Sequence, residues 1–313
     1  MNKVMLSFCL VTYNHEKYIQ ECIDSILNQK VNFEIEILIG NDCSGDNTGG
    51  LIEKLYGNKV NLINRKENVG LCKNLYDLFM RASGKYVFLF SGDDYIVDKY
   101  TLQKQVDFLE NHEEYFSVSA KNYIYDQQKN AIREGKCKSG DFTIYDYMLD
   151  GRCPCIYGTM RNVFSKEKES NSFLQEGARN NEEIKMWMYT LDHGKKYILD
   201  SYMTVYRSVD RKGEDNYCSN TNYMDRFRDY YKDILLIKKI YRKKYNMMPY
   251  KCILLNRYCN DMSTSIRRLF EFLIELEPKD LIEMIWYKIY LKTHNYKIPK
   301  RWKDKSYIIK YSK

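Results

Sequence analysis

The sequence predicts an α/β protein with a doubly wound, mainly parallel sheet flanked by helices and followed by a helical C-terminal region. Apolar runs of strand length alternate with amphipathic helical patterns through the first hundred or so residues, which is typical of such sheets. From about residue 222 the apolar spacing is helical nearly to the end. The 313 residues allow one large domain with an appendage, or two domains.

The elements of the first hundred residues follow from their residue patterns. Val4–Thr12 is apolar and rich in strand-forming residues, and it breaks at Tyr13-Asn14-His15. Helices and strands then alternate: a helix with Tyr18, Cys22 and Ile26 on one face, a strand over Phe33–Ile39, a helix around Leu51–Leu55, a strand over Val60–Ile63, a helix over Leu71–Met80 and a strand over Tyr86–Phe90.

The later elements are less regular. The pattern predicts a helix that includes Leu102, Val106, Phe108 and Leu109, a strand over Phe116–Tyr125 and a loop or hairpin over 126–141. It then predicts a helix over Phe142–Leu149, a strand-like segment over Ile156–Phe164, a helix over Ile184–Leu191, and two strands over Tyr197–Leu199 and Met203–Arg207. A soft boundary near 210–220 divides the chain into domains 1–214 and 215–313.

The net charge of +8 is unevenly distributed along the chain. Residues 215–313 hold 22 basic and 11 acidic side chains, whereas residues 1–214 hold 28 and 31. The basic surplus therefore belongs to the C-terminal third. No run of about 18 apolar residues predicts a membrane-spanning helix. Ten cysteines without a secretion signal favour free thiols and a cytoplasmic protein.

Polar loops follow three of the predicted strands: Thr12-Tyr13-Asn14, Asn41-Asp42 and Asp93-Asp94. In open parallel sheets ligands bind at the carboxyl ends of the strands, so we expect these loops to converge. Two adjacent acids at a strand exit suit a hard divalent cation, although they could instead cap a helix. Asp42 could accept from a nucleobase or a ribose hydroxyl, or serve as a turn residue. Tyr13 could stack on a base or simply pack.

Six motifs in order resemble family 2 glycosyltransferases of the GT-A fold, over roughly residues 3–210. They are the opening strand Val4–Asn14, the helix end Ser25-Ile26-Leu27-Asn28-Gln29, the second strand and acidic loop Ile37–Thr48, Asn68-Val69-Gly70 with Asn74, the acidic motif Ser91-Gly92-Asp93-Asp94-Tyr95, and Asp98–Leu109. The resemblance implies a Rossmann-like GT-A domain over residues 1–214.

The resemblance also implies roles for single residues, in a site that binds a nucleoside-diphosphate sugar and Mn²⁺ or Mg²⁺. Asp94 would coordinate the cation that bridges the diphosphate, and Asp93 would contact the ribose or share the metal. Ser91 departs from the commoner pattern, in which many members have a further Asp. The remaining donor-binding candidates are Thr12, Tyr13 and Asn14 along the nucleobase pocket, Asp42 on the base, and Arg65 on base or phosphate.

An inverting transfer needs a general base to take the proton of the acceptor hydroxyl, a role that Asp or Glu can fill. In the family this acid begins a helix, with a Trp one turn on. Glu183 lies four residues before Trp187 and is the first candidate, with Glu182 the second. The alternative is a pair of ordinary acids at a helix N-terminus. Many members carry a metal-ligating His where this chain has Val209.

The sequence therefore predicts an inverting glycosyltransferase of the hexosyltransferase type, with a UDP-linked donor and a glycan, lipid-linked or protein-linked acceptor. No Gly-rich phosphate cradle of the dinucleotide-binding or Walker type occurs, which argues against a dehydrogenase or an ATPase. One alternative is a catalytically inactive GT-A-like binding module. Another is a nucleic-acid-binding protein acting through its basic C-terminal helices, although no nucleic acid is expected as a partner.

Basic and aromatic side chains alternate in the C-terminal third, as at Lys238-Lys239, Arg242-Lys243-Lys244, Arg267-Arg268 and Trp286-Tyr287. Such helices suit the surface of an anionic membrane, which would place residues 222–313 at its inner face. The alternatives are a helical subdomain with ordinary solvated faces and a surface for homo-oligomers.

Overall fold

The computed structural model describes residues 3–127, 129–151, 153–155, 157–179, 183–208, 223–262, 266–295 and 297–303. The chain forms two compact units. The first comprises Met1–Phe142 and Pro154–Asn220, and the second comprises Thr143–Cys153 and Thr221–Lys313. The C-terminal helices are thus joined by a short segment from the middle of the sequence.

The boundary predicted near 210–220 lies outside the described residues. The division into domains 1–214 and 215–313 therefore stays a prediction. Val209, where the resemblance compares a metal-ligating His, also lies outside the described residues.

The described residues contain ten strands: β1 Leu6–Thr12, β2 Ile35–Asn41, β3 Asn61–Asn64, β4 Tyr86–Ser91, β5 Tyr95–Ile96, β6 Tyr115–Asp126, β7 Ala131–Glu134, β8 Gly140–Phe142, β9 Gly158–Arg161 and β10 Lys195–Ser208. They contain these helices: α1 Ile19–Leu27, α2 Thr48–Tyr56, α3 Leu71–Arg81, α4 Thr101–Asn111, α5 Ile144–Asp150, α6 Lys168–Asn171, α7 Glu183–His193, α8 Tyr223–Tyr241, α9 Met248–Met262, α10 Ile266–Ile274 and α11 Pro278–Thr293. Single 3₁₀ turns span Ser172–Gln175 and Lys300–Lys303.

All strands belong to one mixed sheet with the order β3-β2-β1-β4-β9-β6-β10-β5, to which β7 adds beside β6 and β8 beside β10. The half formed by β3, β2, β1 and β4 is parallel throughout. β9 runs antiparallel to both β4 and β6, whereas β6 and β10 are parallel. The predicted α/β class is confirmed, and its parallel half is the part that the strand–helix alternation indicated.

The core of the first unit lies on both faces of this parallel half. Every residue of β1 is buried, because strands covered on both faces by helices need apolar side chains in both directions. Phe8 of β1 stacks on Phe88 of β4 with ring centroids 4.9 Å apart. Ile19 and Ile23 of α1 belong to the same cluster. The sheet edge that carries the polar loops is therefore built on a rigid base.

Two later segments differ from the predictions in detail. Tyr197–Leu199 and Met203–Arg207 form one strand, β10, rather than two. Its register with β6 shifts between Leu199 and Tyr202 and again before Thr204. A bulge lets the polar Asp200-Ser201 pair interrupt the apolar pattern without ending the strand. The segment 126–141, predicted as a loop or hairpin, supplies β7 and part of β8.

The second unit has its own core. Trp302 is fully buried and stacks on Tyr287 of α11 with ring centroids 4.8 Å apart. α5 joins this core through Tyr147, whose hydroxyl lies 2.9 Å from that of Tyr250 in α9. The short central segment thus packs with the C-terminal helices through its own buried face. Among the described helices, none combines the length and apolarity needed to cross a bilayer.

Candidate active site

The carboxyl ends of three adjacent parallel strands form the edge that carries the predicted site. Thr12 at the end of β1 is paired with Asn41 at the end of β2, and Val11 is paired with Ser91 at the end of β4. The loops after these three strands therefore lie side by side. This is the convergence that the strand order predicted.

Asp42 is buried directly after β2, where its carboxylate fixes the loop before α3. Its Oδ1 accepts from the backbone N–H of Val69 at 2.8 Å, and its Oδ2 accepts from that of Gly70 at 2.9 Å. Asn68 Nδ2 donates to the Asp42 carbonyl at 3.1 Å. Each carboxylate oxygen has a further lone pair, so these bonds leave acceptor capacity for a ligand.

The loops after β1 and β2 are cross-linked by short polar contacts. Asn14 adopts a left-handed conformation with φ of 55°. Its backbone N–H donates to Ser44 Oγ at 2.9 Å, and its Oδ1 accepts from Gly45 N–H at 2.8 Å. Tyr13 is half-buried in the same turn. The side chains predicted to line a nucleobase pocket therefore sit on an ordered turn.

The two acids after β4 have contrasting environments. Asp93 has a side chain 18% exposed, and its Oδ2 lies 3.9 Å from His15 Nε2. Its Oδ1 accepts from Ser91 Oγ at 2.5 Å. Asp94 is 1% exposed, and its carboxylate accepts from the Tyr157 hydroxyl and from the backbone N–H of Arg207, the latter at 2.6 Å. Asp93 is therefore the more accessible acid, and Asp94 is anchored within the protein.

Burial raises the pKa of the Asp94 carboxyl well above its usual range, and the neighbouring charge of Asp93 raises it further. The hydrogen bonds from Tyr157 and Arg207 act in the opposite direction. Two adjacent carboxylates in a poorly solvated place repel each other. Added positive charge at this point would relieve that repulsion.

Arg207, near the end of β10, ties the acidic motif to its surroundings. Its Nε donates to the Asp93 carbonyl at 2.7 Å, and a terminal nitrogen donates to Glu21 Oε2 at 2.6 Å. Its guanidinium lies over the rings of Tyr18, Tyr95 and Tyr125 at 4.8–5.6 Å from their centroids. The sequence placed Arg207 only at the end of a predicted strand and did not predict these contacts.

His15 is a second residue that the sequence reasoning did not select. Its Nδ1 lies 3.1 Å from Thr12 Oγ1, and both side chains are buried. A Cβ on Gly92 would approach Thr12 Oγ1 to 2.7 Å and His15 Nδ1 to 2.9 Å. The glycine of the acidic motif is therefore needed for close packing. The only available signal for His15 was its position directly after Tyr13-Asn14.

The donor set here fits a divalent cation only in part. The described residues include no group of three or more His, Cys, Asp or Glu side chains that could hold a metal. Asp93, with Ser91 Oγ beside it, offers one accessible carboxylate. Mg²⁺ is commonly held by one or two carboxylates plus substrate phosphates and water. The residues present thus suit a cation that arrives with a diphosphate rather than a permanent protein cage.

Glu183 is the first residue of α7, and burial raises the pKa of its carboxyl. Glu182 lies outside the described residues, as do Asn180 and Asn181. The segment before α7 is held on the start of α3, because the Arg179 carbonyl accepts from Cys72 N–H at 3.0 Å. Buried Lys185 donates to the Ala178 carbonyl at 3.2 Å. The base candidate therefore begins a helix tied to the loop that Asp42 also holds.

Arg65 contacts α3 rather than the loops after β1 and β4. Its Nε donates to Asn74 Oδ1 at 2.9 Å, and a terminal nitrogen donates to Asp77 Oδ2 at 2.8 Å. Asp77 also pairs with Arg81. The guanidinium thus has protein partners in this structure, and its predicted contact with base or phosphate stays a prediction.

Comparison with known proteins places this site in context. The family model "Glycosyl transferase family 2" matches residues 7–168, about half of the chain. An uncharacterised protein of Mycobacterium tuberculosis is 36% identical over 112 residues, which are 35% of this chain and 32% of that protein. The poly(ribitol-phosphate) β-N-acetylglucosaminyltransferase TarS of Staphylococcus aureus is 36% identical over 114 residues, 34% of this chain and 20% of TarS. The chain thus spans a third or less of these relatives.

Solved structures share the architecture over nearly the whole chain. S. aureus TarS 1–349 in complex with UDP-GlcNAc has a TM-score of 0.61 at 20% identity, covering 96% of this chain and 83% of that one. The mannosyltransferase PcManGT from Pyrobaculum calidifontis, in complex with GDP-Man and Mn²⁺, has a TM-score of 0.53 at 14% identity, covering 94% and 82%. These likenesses show the GT-A fold that the sequence motifs implied.

Proposed function

Because the chain belongs to glycosyl transferase family 2, we propose that it transfers a sugar from a nucleoside-diphosphate sugar to a hydroxyl group of an acceptor, with inversion. The observation that carries this proposal is the juxtaposition of three polar loops at one sheet edge, with the accessible Asp93 beside the anchored Asp94. A UDP-linked donor is our first choice, in line with the UDP-GlcNAc complex of TarS.

In this proposal the loops after β1 and β2 bind the nucleoside. Thr12, Tyr13 and Asn14 line the base pocket, where the half-buried Tyr13 ring offers a face for stacking. Asp42 has a double role. Its carboxylate accepts hydrogen bonds from the backbone N–H groups of Val69 and Gly70, and its remaining lone pairs accept from the base. Arg65 would have to release Asn74 or Asp77 to reach the donor, so it is the weakest of the donor candidates.

Asp93 is the first ligand that we propose for Mn²⁺ or Mg²⁺, with Asp94 as the second or as its support. A divalent cation bound there supplies positive charge to the leaving diphosphate. Arg207 keeps the acidic motif in place through the Asp93 carbonyl and the Asp94 carboxylate. The occurrence of Mn²⁺ with GDP-Man in PcManGT supports a metal-dependent donor site in this fold.

Glu183 is the base that we propose for the acceptor hydroxyl, and Glu182 is the second candidate. Burial raises the pKa of Glu183, which makes its carboxylate a better proton acceptor near neutral pH. The rate of transfer should therefore fall as the pH is lowered, because only the ionised Glu183 accepts a proton. This fall should begin at a pH above the pKa of an ordinary Glu. Acceptors of glycan, lipid-linked or protein-linked type all present such a hydroxyl.

One experiment with two variants tests donor binding and transfer separately. Thermal shift of the full chain with UDP-GlcNAc and Mn²⁺ measures donor binding, since a bound donor raises the melting temperature by mass action. We expect Asp93→Asn to lose the metal-dependent shift. We expect Glu183→Gln to keep the shift but to lose about 100-fold or more of transfer, the usual contribution of a general base.

The exposed Asp107 of α4 offers a matched control, because Asp107→Asn changes the same charge on another surface. This variant should behave as the wild type in both assays. Unchanged metal-dependent turnover in Asp93→Asn contradicts the metal assignment. Full transfer by Glu183→Gln moves the base to Glu182 or elsewhere. A donor shift with no transfer by the wild type favours the inactive binding module.

We also propose that residues 222–313 bring the enzyme to the inner face of an anionic membrane, where a lipid-linked acceptor would be available. The net charge of +11 on residues 215–313 supports this contact.

A further inference from the structure

The second unit exposes a set of large apolar side chains on α10 and α11. Ile282, Ile285 and Ile289 of α11 are 67%, 45% and 58% exposed. Their spacing of three and four residues puts them in one stripe along the helix. The residues Met284 and Tyr287 of the same helix are buried. α11 therefore carries apolar side chains on its outer face as well as on its buried face, whereas an ordinary solvated helix is polar on the outside.

α10 carries exposed apolar side chains as well. Phe270 and Ile274 lie one turn apart and are each 68% exposed, whereas Phe272 between them is buried against Phe227 of α8. We call the five exposed side chains of the two helices the apolar face: Phe270, Ile274, Ile282, Ile285 and Ile289. Soluble proteins rarely expose such sets unless a partner or a membrane covers them.

Cationic side chains border the apolar face. Lys279 lies one turn before Ile282, Lys292 lies one turn after Ile289, and both are exposed. At the end of α8, Lys239 and Arg242 are exposed too. This end of α8 meets the start of α11, because Lys238 Nζ lies 3.1 Å from Glu277.

Three acids near the apolar face are paired with cations of the same unit. Glu275 is paired with Arg228 at 2.9 Å, and Glu277 is paired with Lys238. Glu283 accepts from Lys251 at 2.8 Å, and its other carboxylate oxygen lies 3.9 Å from Lys279 Nζ. These carboxylates are offset by the cations they pair with, and the exposed Lys239 and Lys292 add further positive charge to this unit.

We propose that the apolar face docks on an anionic lipid bilayer, with Ile282, Ile285 and Ile289 entering the acyl boundary and the bordering cations meeting the headgroups. A helix with an apolar stripe and flanking lysines binds in this way in the plane of the interface. Each acidic lipid near the surface attracts the basic side chains. This inference deepens the proposed membrane contact, and its test needs no sugar transfer.

A second copy of the chain is a less suitable occupant. A two-fold interface brings the same patch of both copies together, so the cations bordering the face would approach their own counterparts. A nucleic acid would use the cations but would leave the isoleucines in contact with water. A bilayer satisfies the apolar and the cationic side chains together.

Flotation of the full chain with liposomes tests the proposal. The probes are vesicles of phosphatidylcholine alone and with about one third phosphatidylglycerol. The variant Ile282→Gln, Ile285→Gln, Ile289→Gln keeps good helix-forming residues, so α11 should persist. We expect it to lose at least tenfold of the binding to anionic vesicles. Lys239→Gln with Arg242→Gln should weaken binding and reduce its dependence on salt.

The matched control replaces three exposed apolar residues of the first unit, as Leu55→Gln, Val97→Gln and Ile132→Gln, and should bind as the wild type. Circular dichroism checks that each variant is folded. Equal flotation of the α11 variant and the wild type overturns the proposal. The proposal is also overturned if light scattering finds a dimeric wild type and a monomeric α11 variant while neither binds vesicles. In that case a second copy of the chain covers the apolar face. Transfer to a soluble acceptor should be unaffected in the α11 variant.

Discussion

At the scale of single residues, Arg207 shows how one cation can organise a pair of acids. Its backbone N–H bonds the Asp94 carboxylate, and its side chain bonds the Asp93 carbonyl and Glu21. Three tyrosine rings surround its guanidinium, and the Arg207 side chain is 9% exposed. The fork of the guanidinium allows two directed bonds at once, which a lysine ammonium does not reproduce in the same geometry.

We therefore expect Arg207→Lys to lower the free energy of unfolding by about 1.5–3 kcal/mol, the contribution of a lost hydrogen bond to a charged group. It should also raise the Mn²⁺ concentration needed for donor binding, because the acidic motif is less well held. Urea unfolding and thermal shift with titrated Mn²⁺ measure the two effects. Arg81→Lys is the control, since its half-exposed pair with Asp77 should contribute at most about 1 kcal/mol. Equal effects of the two substitutions would count against a positioning role.

At the scale of elements, the loop before α3 connects the nucleoside side of the candidate site with the helix that carries the base. The backbone N–H groups of Val69 and Gly70 in this loop donate to Asp42. Arg179, in the segment before α7, donates to Asn68 Oδ1 of the same loop. Gly70 has φ of 89° and ψ of 156°, a region that only glycine occupies readily. A Cβ there would also lie 2.2 Å from Arg179 Cγ.

Gly70→Ala should thus cost about 1–3 kcal/mol of stability from backbone strain and should weaken donor binding, because Asp42 loses a well-placed amide. Gly140→Ala is the control, because it should introduce backbone strain at a place away from the candidate site. Gly140 also has positive φ, at 113°, but a Cβ there meets nothing within 4 Å. Both variants should melt earlier, and only Gly70→Ala should show a smaller thermal shift with UDP-GlcNAc and Mn²⁺. A normal shift in Gly70→Ala excludes this loop from donor binding.

Local patterns were sufficient to predict some of these elements but not others. Thr12, Asp42 and Asp93 were predicted at strand ends because each lies at the end of an apolar run or within three residues of it. The contacts of Arg207 depend on β10 pairing with β5 and β6, which brings together residues about 80 or more positions apart. Likewise α5 carries no local signal that it packs with helices more than 70 residues later. Long-range pairing of this kind depends on the whole fold, and it leaves no periodic pattern in the local sequence from which it could be predicted.

At the scale of the whole molecule, the two compact units use charge differently. The first places a few acids at a sheet edge. The second buries an ion network inside a basic helical unit, where Asp280 accepts from Lys251 and from the Tyr231 hydroxyl, the latter at 3.0 Å. Burial alone would raise the pKa of Asp280, but the hydrogen bond and charge of Lys251 hold it below its usual range.

A lowered folded pKa means that the ionised Asp280 stabilises the second unit above the unfolded pKa of about 3.9, and that this stability is lost as pH falls below it. Asp280→Asn should cost about 3–5 kcal/mol at neutral pH, because Lys251 loses a buried partner. The substitution should also remove part of the loss of stability of the second unit at low pH. In a Trp187→Phe background the fluorescence of the remaining Trp286 and Trp302 reports on the unfolding of this unit alone.

Asp225→Asn, at an exposed pair with Arg228, is the control and should change the free energy of unfolding by less than about 1 kcal/mol. If Asp280→Asn keeps the full loss of stability between pH 5 and pH 3, other carboxylates cause that loss.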